Sequence, residues 1–351
     1  MATKYEDRPI PQISLANFES RVDEITEQLV TAAEQVGFFA IVDHGVTTEQ
    51  IDSMFAMSER FFALPNETKS TVAWNPNNVG WEHKSQIRPS TGAADQKESY
   101  QLQFGEHMKG MWISEDACPG FHDQSWSFMH LVQGVSEKLM ICFARGLGFP
   151  DDFFVRAHDV TKPNCQSVLR LLHYFETPRP SGGGDGQVYH RAGAHADWDL
   201  LTLLFQREGQ SGLEICPGRE VVTEWASGNE AWTKVDFVPG SIVCNIGDLL
   251  MSWSDDRFKS TLHRVKAPCE EGDNYDERYS IAFFNQPSKD TIIQGPLKKY
   301  PAVTGEEFNA KAMKVQFTAL QAKLQAEEEA KRKREAAAAA MDKVIPAGTV
   351  A

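Results

Sequence analysis

Residues 195–205, HADWDLLTLLF, set an imidazole and a carboxylate two positions apart at the head of an apolar run. Side chains along an extended strand alternate between its faces, so positions i and i+2 share one face. Two readings fit. His195 and Asp197 are either the polar, exposed end of a strand or two ligands of one metal ion. The second reading needs a third ligand, and His263, in STLHRV, is the one histidine downstream of Asp197. It sits in another short stretch predicted to be a strand, from which it would close the set from across a barrel. Two histidines and one carboxylate form the facial triad that leaves open positions on ferrous iron. His44, His83, His107, His122, His130, His158, His173 and His190 have no carboxylate at strand spacing and read as surface or core residues, His190 being either a residue of the Gly-rich loop or one that lines the pocket.

The surroundings of this stretch share its texture. From about residue 165, SVLRLLHYF, LLTLLF, GLEIC, WTKVDF, SIVCNIGD, LLMSWS, TLHRV and RYSIAFF follow one another, separated by turn residues. Short apolar runs at regular spacing predict a sandwich or barrel of strands. Upstream, apolar residues recur at helical spacing over 18–36, 48–64 and 127–149, with IPQISL (9–14) and FFAIVDHGV (38–46) as short strands between them. The fold class is therefore mainly β with flanking helices. Its parts are a leading helical and β region (1–160), a β core (161–300) and a C-terminal helix with a tail (301–351). Residues 311–341 are rich in Ala, Glu, Lys and Arg, strong helix formers, but sustain no heptad repeat.

Composition excludes several classes. A net charge of −14 repels phosphate backbones, so no nucleic-acid partner is expected. No run approaches the ~18 apolar residues of a membrane span. The opening MATKYEDRPIPQ has no apolar h-region, so no secretory signal is expected. Cys118, Cys142, Cys165, Cys216, Cys244 and Cys269 are scattered without a C-x-x-C pair, which fits a reducing compartment, the cytoplasm by default.

RYSIAFF (278–284) places Arg278 and Ser280 on one strand face. A guanidinium fork beside a hydroxyl grips a carboxylate well. That carboxylate belongs either to a protein Asp or Glu or to a ligand. Tyr174, which alternates inward with Leu172 and Arg170, is a further donor to it. Trp81, Tyr100, Phe104, Trp198 and Phe284 are candidate pocket aromatics, each equally readable as core. The loop PRPSGGGDGQ (178–187) is either a lid or a solvated connector.

Taken together, these stretches resemble the Fe(II)/2-oxoglutarate-dependent dioxygenases of the isopenicillin N synthase-like branch. IPQISL is similar to that family's I-P-x-I-D-L. GFFAIVDHGV resembles G-F-F-x-v-x-N-H-G-V, with Asp43 in place of Asn. FFALPNETK, GAHADWDLLTLLFQ (with Ala196 where Thr is common), SGLEI, the segment from VPGSIVCNIGD to STLHRV, and RYSIAFFNQP follow in family order, over about residues 9–310. The resemblance implies a double-stranded β-helix, or jelly roll. It implies iron on His195, Asp197 and His263, and 2-oxoglutarate held by Arg278 and Ser280 with Tyr174 as helper. It also implies O2 as the second cosubstrate, with ascorbate as an optional reductant. The implied reaction hydroxylates, desaturates or cyclises a small apolar or aromatic metabolite, often a secondary metabolite, and releases succinate and CO2. Two other readings stay open: an oxidase of the same branch that dispenses with 2-oxoglutarate, and a silent ligand-binding member.

Overall fold

Strand side chains sort to two faces with the period of two that the sequence displays. A computed structural model of the chain describes residues 4–84, 95–177, 179, 191–220, 231–269 and 273–312. Residues 178 and 180–187 of the expected loop, His190, and the tail from 313 onward lie outside the described residues. In the strand Val168–Tyr174, Leu169 and Leu171 enter the main apolar core, while Val168, Arg170, Leu172 and Tyr174 line a cavity. Leu201–Phe205 divides the same way, with Leu201, Leu203 and Phe205 in the core and Thr202 and Leu204 on the cavity. Arg278–Phe284 repeats it, with Ile281 and Phe283 against Ser280, Ala282 and Phe284. A slip of one residue would exchange the two sets, so burial on both faces holds the register.

These strands belong to an eight-stranded sheet in the order 12–14, 38–42, 242–246, 201–205, 278–284, 168–174, 97–103, 80–83. A second sheet of five has the order 4–5, 231–234, 213–220, 261–265, 192–195. The cavity is walled by both, with Ala192, Leu213 and Val265 from the smaller sheet facing Leu172, Leu204 and Ala282 of the larger. The helices Phe18–Gln35, Thr48–Phe62 and Phe121–Gly146 cover the other face of the large sheet through Ile25, Leu29, Phe55, Phe61, Met140 and Phe143. Thr47 and Gln50 close a capping box at the second helix. The first helix stops before Gly37, whose φ of +73° suits glycine. A Cβ there would lie 2.2 Å from the Lys259 carbonyl oxygen. No helix among the described residues is long and apolar enough to cross a membrane.

Three expectations change. LLMSWS is not a strand but lies in the helix Asp248–Trp253, which buries Leu249, Leu250, Met251 and Trp253. An apolar run this short has no period long enough to separate the two states. The third helix starts at Phe121, not near 127, because its first turns carry exposed polar residues that mask the pattern. The leading region also supplies Gly80–His83 and Lys97–Gln103 to the large sheet. KESYQLQ is polar and fully buried, so it lacks the apolar signature of a strand.

Candidate active site

His195 is the last residue of the strand Ala192–His195. Asp197 lies beyond it, in the turn leading to Leu201, so the two do not share a strand face as alternation suggested. Four backbone hydrogen bonds shape that turn: Leu200 N–H to Asn285 O, Gly247 N–H to Leu200 O, Asp248 N–H to Asp197 O and Leu249 N–H to Asp199 O. Gly247 is needed there, since a Cβ would lie 2.1 Å from the Asp199 carbonyl oxygen. His263 is not across the barrel but on the neighbouring antiparallel strand, in direct register with His195. Their rings are 4.4 Å apart.

The ligand atoms of His195, Asp197 and His263 all lie within 4.8 Å of one another. Asp197 Oδ1 is 3.8 Å from His195 Nε2 and 3.7 Å from His263 Nε2. Each imidazole is turned by its other nitrogen. His195 Nδ1 donates to Gly193 O at 2.7 Å and His263 Nδ1 to Thr261 O at 3.1 Å. A carbonyl only accepts, so the proton sits on Nδ1 and the Nε2 lone pair faces the cluster. Asp197 Oδ2 accepts from Thr202 Oγ1 at 2.7 Å and Asn245 Nδ2 at 3.0 Å, which aims Oδ1 at the imidazoles. Two imidazole nitrogens and one carboxylate oxygen are a donor set that fits a divalent ion. Behind them, burial and the charge of Asp197 push the Asp199 carboxyl well above the ordinary range.

At the other end of the cavity Arg278 is 1% exposed. Its Nε donates to Gln210 O at 3.0 Å and its Nη1 to Ser280 Oγ at 3.2 Å. Tyr174 is its cross-strand partner, the guanidinium carbon lying 4.9 Å from the ring centre. Among the described residues no carboxylate pairs with Arg278, and a buried cation without an anion is costly. A ligand carboxylate supplies what this end lacks. Arg191 adds a second buried guanidinium, lowered to about 10 by burial and then by the charge of Arg278, and still cationic at neutral pH.

Trp198 and Phe284 are on the cavity wall. Trp81, Tyr100 and Phe104 are elsewhere, in the apolar core. Trp81 Nε1 donates to Glu98 at 2.7 Å, Tyr100 stacks on Phe61 and Phe121, and Phe104 packs on Trp126, His130 and Phe283. Among the polar lining residues that the sequence did not mark out are Asn78, Lys97, Arg170 and Gln286. Arg170 holds its guanidinium over the Phe284 ring at 5.0 Å. Lys97 faces Asp95 at 3.5 Å, and Asp95 also accepts from Gly193 N–H. Arg170 had a signal, since it alternates inward with Tyr174; the others lie in stretches with no readable face.

Known proteins match along most of the chain. Residues 10–115 match the family described as non-haem dioxygenase in morphine synthesis N-terminal, and residues 165–287 match the 2OG-Fe(II) oxygenase superfamily. Proline hydroxylase buaE of Petromyces alliaceus is 31% identical over 290 residues, covering 78% of this chain and 85% of that protein. The 2-oxoglutarate-dependent dioxygenase frbA of Dothideomycetidae sp. is 30% identical, covering 77% and 82%. A full-length Neurospora crassa protein, solved in complex with alpha-KG, superposes with a TM-score of 0.74 at 27% identity, covering 87% of this chain and 95% of that one. With an iron-type donor set at one end of its cavity and an unmatched guanidinium at the other, the chain belongs to the Fe(II)- and 2-oxoglutarate-dependent oxygenases of the isopenicillin N synthase-like family.

Proposed function

We propose that His195, Asp197 and His263 hold the ferrous ion of this oxygenase and that Arg278, Ser280 and Tyr174 grip the distal carboxylate of 2-oxoglutarate. The single observation that carries this assignment is the buried Arg278, without a protein carboxylate among the described residues, in the same cavity as the three-ligand cluster. When bound, iron and 2-oxoglutarate supply the oxidant that takes hydrogen from a C–H bond, with release of succinate and CO2. The chain's own residues do the rest. The Nδ1 hydrogen bonds hold both imidazoles in orientation with Nε2 toward the cluster, the Asp197 charge offsets part of the ion's, and the apolar walls exclude water. The two sheets are read as the faces of a double-stranded β-helix.

The substrate is inferred to be a small planar metabolite that carries polar groups, bound near Trp198 and Phe284. The guanidinium of Arg170 over Phe284 supports this, since a flat ring can stack on such a pair while accepting hydrogen bonds. So does the Neurospora crassa neighbour, solved with thymine and with 5-formyluracil. An entirely apolar substrate fits less well, because Asn78, Lys97 and Gln286 also face the cavity.

Anaerobic addition of Fe(II) and 2-oxoglutarate is expected to give a weak visible charge-transfer band, absent in His195→Ala and Asp197→Ala. Turnover of flat heteroaromatic compounds should then form one succinate per oxidised product. Oxygen uptake without decarboxylation would instead identify an oxidase, and a folded protein with no band would defeat the assignment.

A further inference from the structure

The strand that carries His195 is held by its own sheet on one side only. Among the described residues Ala192–His195 is the last strand of the smaller sheet, with Thr261–Val265 as its one neighbour. The register of that pair also shifts between His263 and Val265. An edge strand with an interrupted ladder leaves backbone groups in need of other partners. The place of the His195 imidazole therefore depends on what else fixes this strand.

Asp95 reaches it from the larger sheet. The pairing of Lys97–Gln103 with Val168–Tyr174 runs back to Gln96, whose carbonyl accepts from Phe175 N–H, and Asp95 is the next residue. Asp95 is 2% exposed, and both its oxygens are engaged. Oδ1 accepts from Gly193 N–H at 3.1 Å, and Oδ2 lies 3.5 Å from the Nζ of Lys97, which is also buried. The Gly193 carbonyl in turn accepts from His195 Nδ1 at 2.7 Å. Gly193 thus holds the larger sheet with its N–H and the imidazole of the metal cluster with its carbonyl.

We propose that Asp95 is a positioning residue for the metal ligand His195. Its acceptor oxygen pins Gly193, and the Gly193 carbonyl turns the His195 ring. Lys97 compensates the charge that Asp95 carries in buried surroundings and keeps the carboxylate in that pose. What positions the strand is the acceptor at residue 95, and the ion pair serves the acceptor. The inference rests on the active-site reading above, in which His195 is a metal ligand, and goes beyond it to what keeps that ligand in place.

Two double variants separate the acceptor from the charge. Lys97→Met/Asp95→Asn and Lys97→Met/Asp95→Leu both lack the buried ion pair, and they differ in whether residue 95 can accept from Gly193 N–H. Co(II), added with 2-oxoglutarate, is the probe. Its visible ligand-field bands report the geometry of the donors, and chelator competition measures its affinity. The asparagine variant is expected to keep the bands of Lys97→Met. The leucine variant should shift them and bind Co(II) roughly tenfold more weakly, near the low end for loss of an outer-shell partner. A merely structural role would lower the melting temperature without moving the bands of the folded protein. Should the leucine variant not fold, alanine at 95 in the same background takes its place. Identical bands and affinity in the two double variants, or equal changes in both, would overturn the proposal. An unsubstituted protein that binds no Co(II), or binding that His195→Ala leaves unchanged, would overturn the active-site reading itself, and this inference with it.

Discussion

Asp197 is placed by hydrogen bonds to one oxygen so that the other is turned toward the two imidazoles. Thr202 and Asn245 both donate to Oδ2, and Oδ1 faces two imidazoles. Asn245→Leu removes one of those donors and frees the carboxylate to rotate. Its Fe(II) affinity should fall roughly 10- to 100-fold, the usual cost of losing such a partner. Competition against a chromophoric chelator measures this, and an unchanged affinity would mean that Asn245 does not orient Asp197. Arg278→Ala addresses the other end of the cavity. It should weaken 2-oxoglutarate by roughly tens of fold to a hundredfold, because a charge-assisted grip is lost, while Fe(II) binding stays. Equal loss of both would misplace Arg278. His195, Asp197, His263 and Arg278 could be picked out of the sequence because each is an ionisable or metal-binding residue type set in a short apolar stretch. Asn245 and Thr202 were not, since an amide and a hydroxyl inside apolar strands look like any others until their partners are known.

Among the elements, the short helix Phe153–Ala157 ends on His158, a fully buried imidazole. Its Nδ1 donates to Phe154 O at 2.7 Å, and its Nε2 has no partner among the described residues. Burial pushes its pKa down to about 4 from the ordinary 6.5. The unfolded chain therefore takes up a proton near pH 6.5 that the folded chain refuses until about pH 4. Stability from this residue is complete above pH 6.5 and is lost progressively as pH falls through that window, by roughly 3 kcal/mol at most. Melting curves should show a smaller drop between pH 7 and pH 5 in His158→Gln than in the parent, and parallel drops would exclude His158 as the cause. The helical state of 248–253 belongs to this scale too. Its apolar run was readable as buried, but its helical state was not, since so short a run has no period, and Gly247 at its start packs closely against Asp199.

Across the whole molecule, a buried ionic network ties the leading region to the large sheet. Lys69 Nζ lies 2.8 Å from Glu98, which also accepts from Trp81 and His173. Burial pushes the Glu98 carboxyl up, but the hydrogen bonds from His173, Lys69 and Trp81 outweigh it and hold the group below its ordinary range. Glu98→Leu would leave Lys69, 3% exposed, without its counter-charge. That should cost about 3–5 kcal/mol in a denaturant titration. The double variant Lys69→Met/Glu98→Leu should recover part of the loss, since it removes both charges. A double variant no more stable than the single one would show that the loss comes from packing and not from the uncompensated cation.

By itself the chain pointed to a mainly β fold with helices, to the alternation of the core strands, and to the side chains of the three-residue cluster and one guanidinium. These depend on residue type and on spacing within a single element, and both are local. Tertiary structure alone decided that His263 pairs with His195 on the adjacent strand, that Asp197 reaches the cluster from a turn, and that Trp81, Tyr100 and Phe104 serve the core. It also decided that Asp95 meets Gly193 on the strand that carries His195. A period tells which face a residue takes but not which distant segment meets that face. Packing settles the second question, because it joins residues that the chain holds far apart.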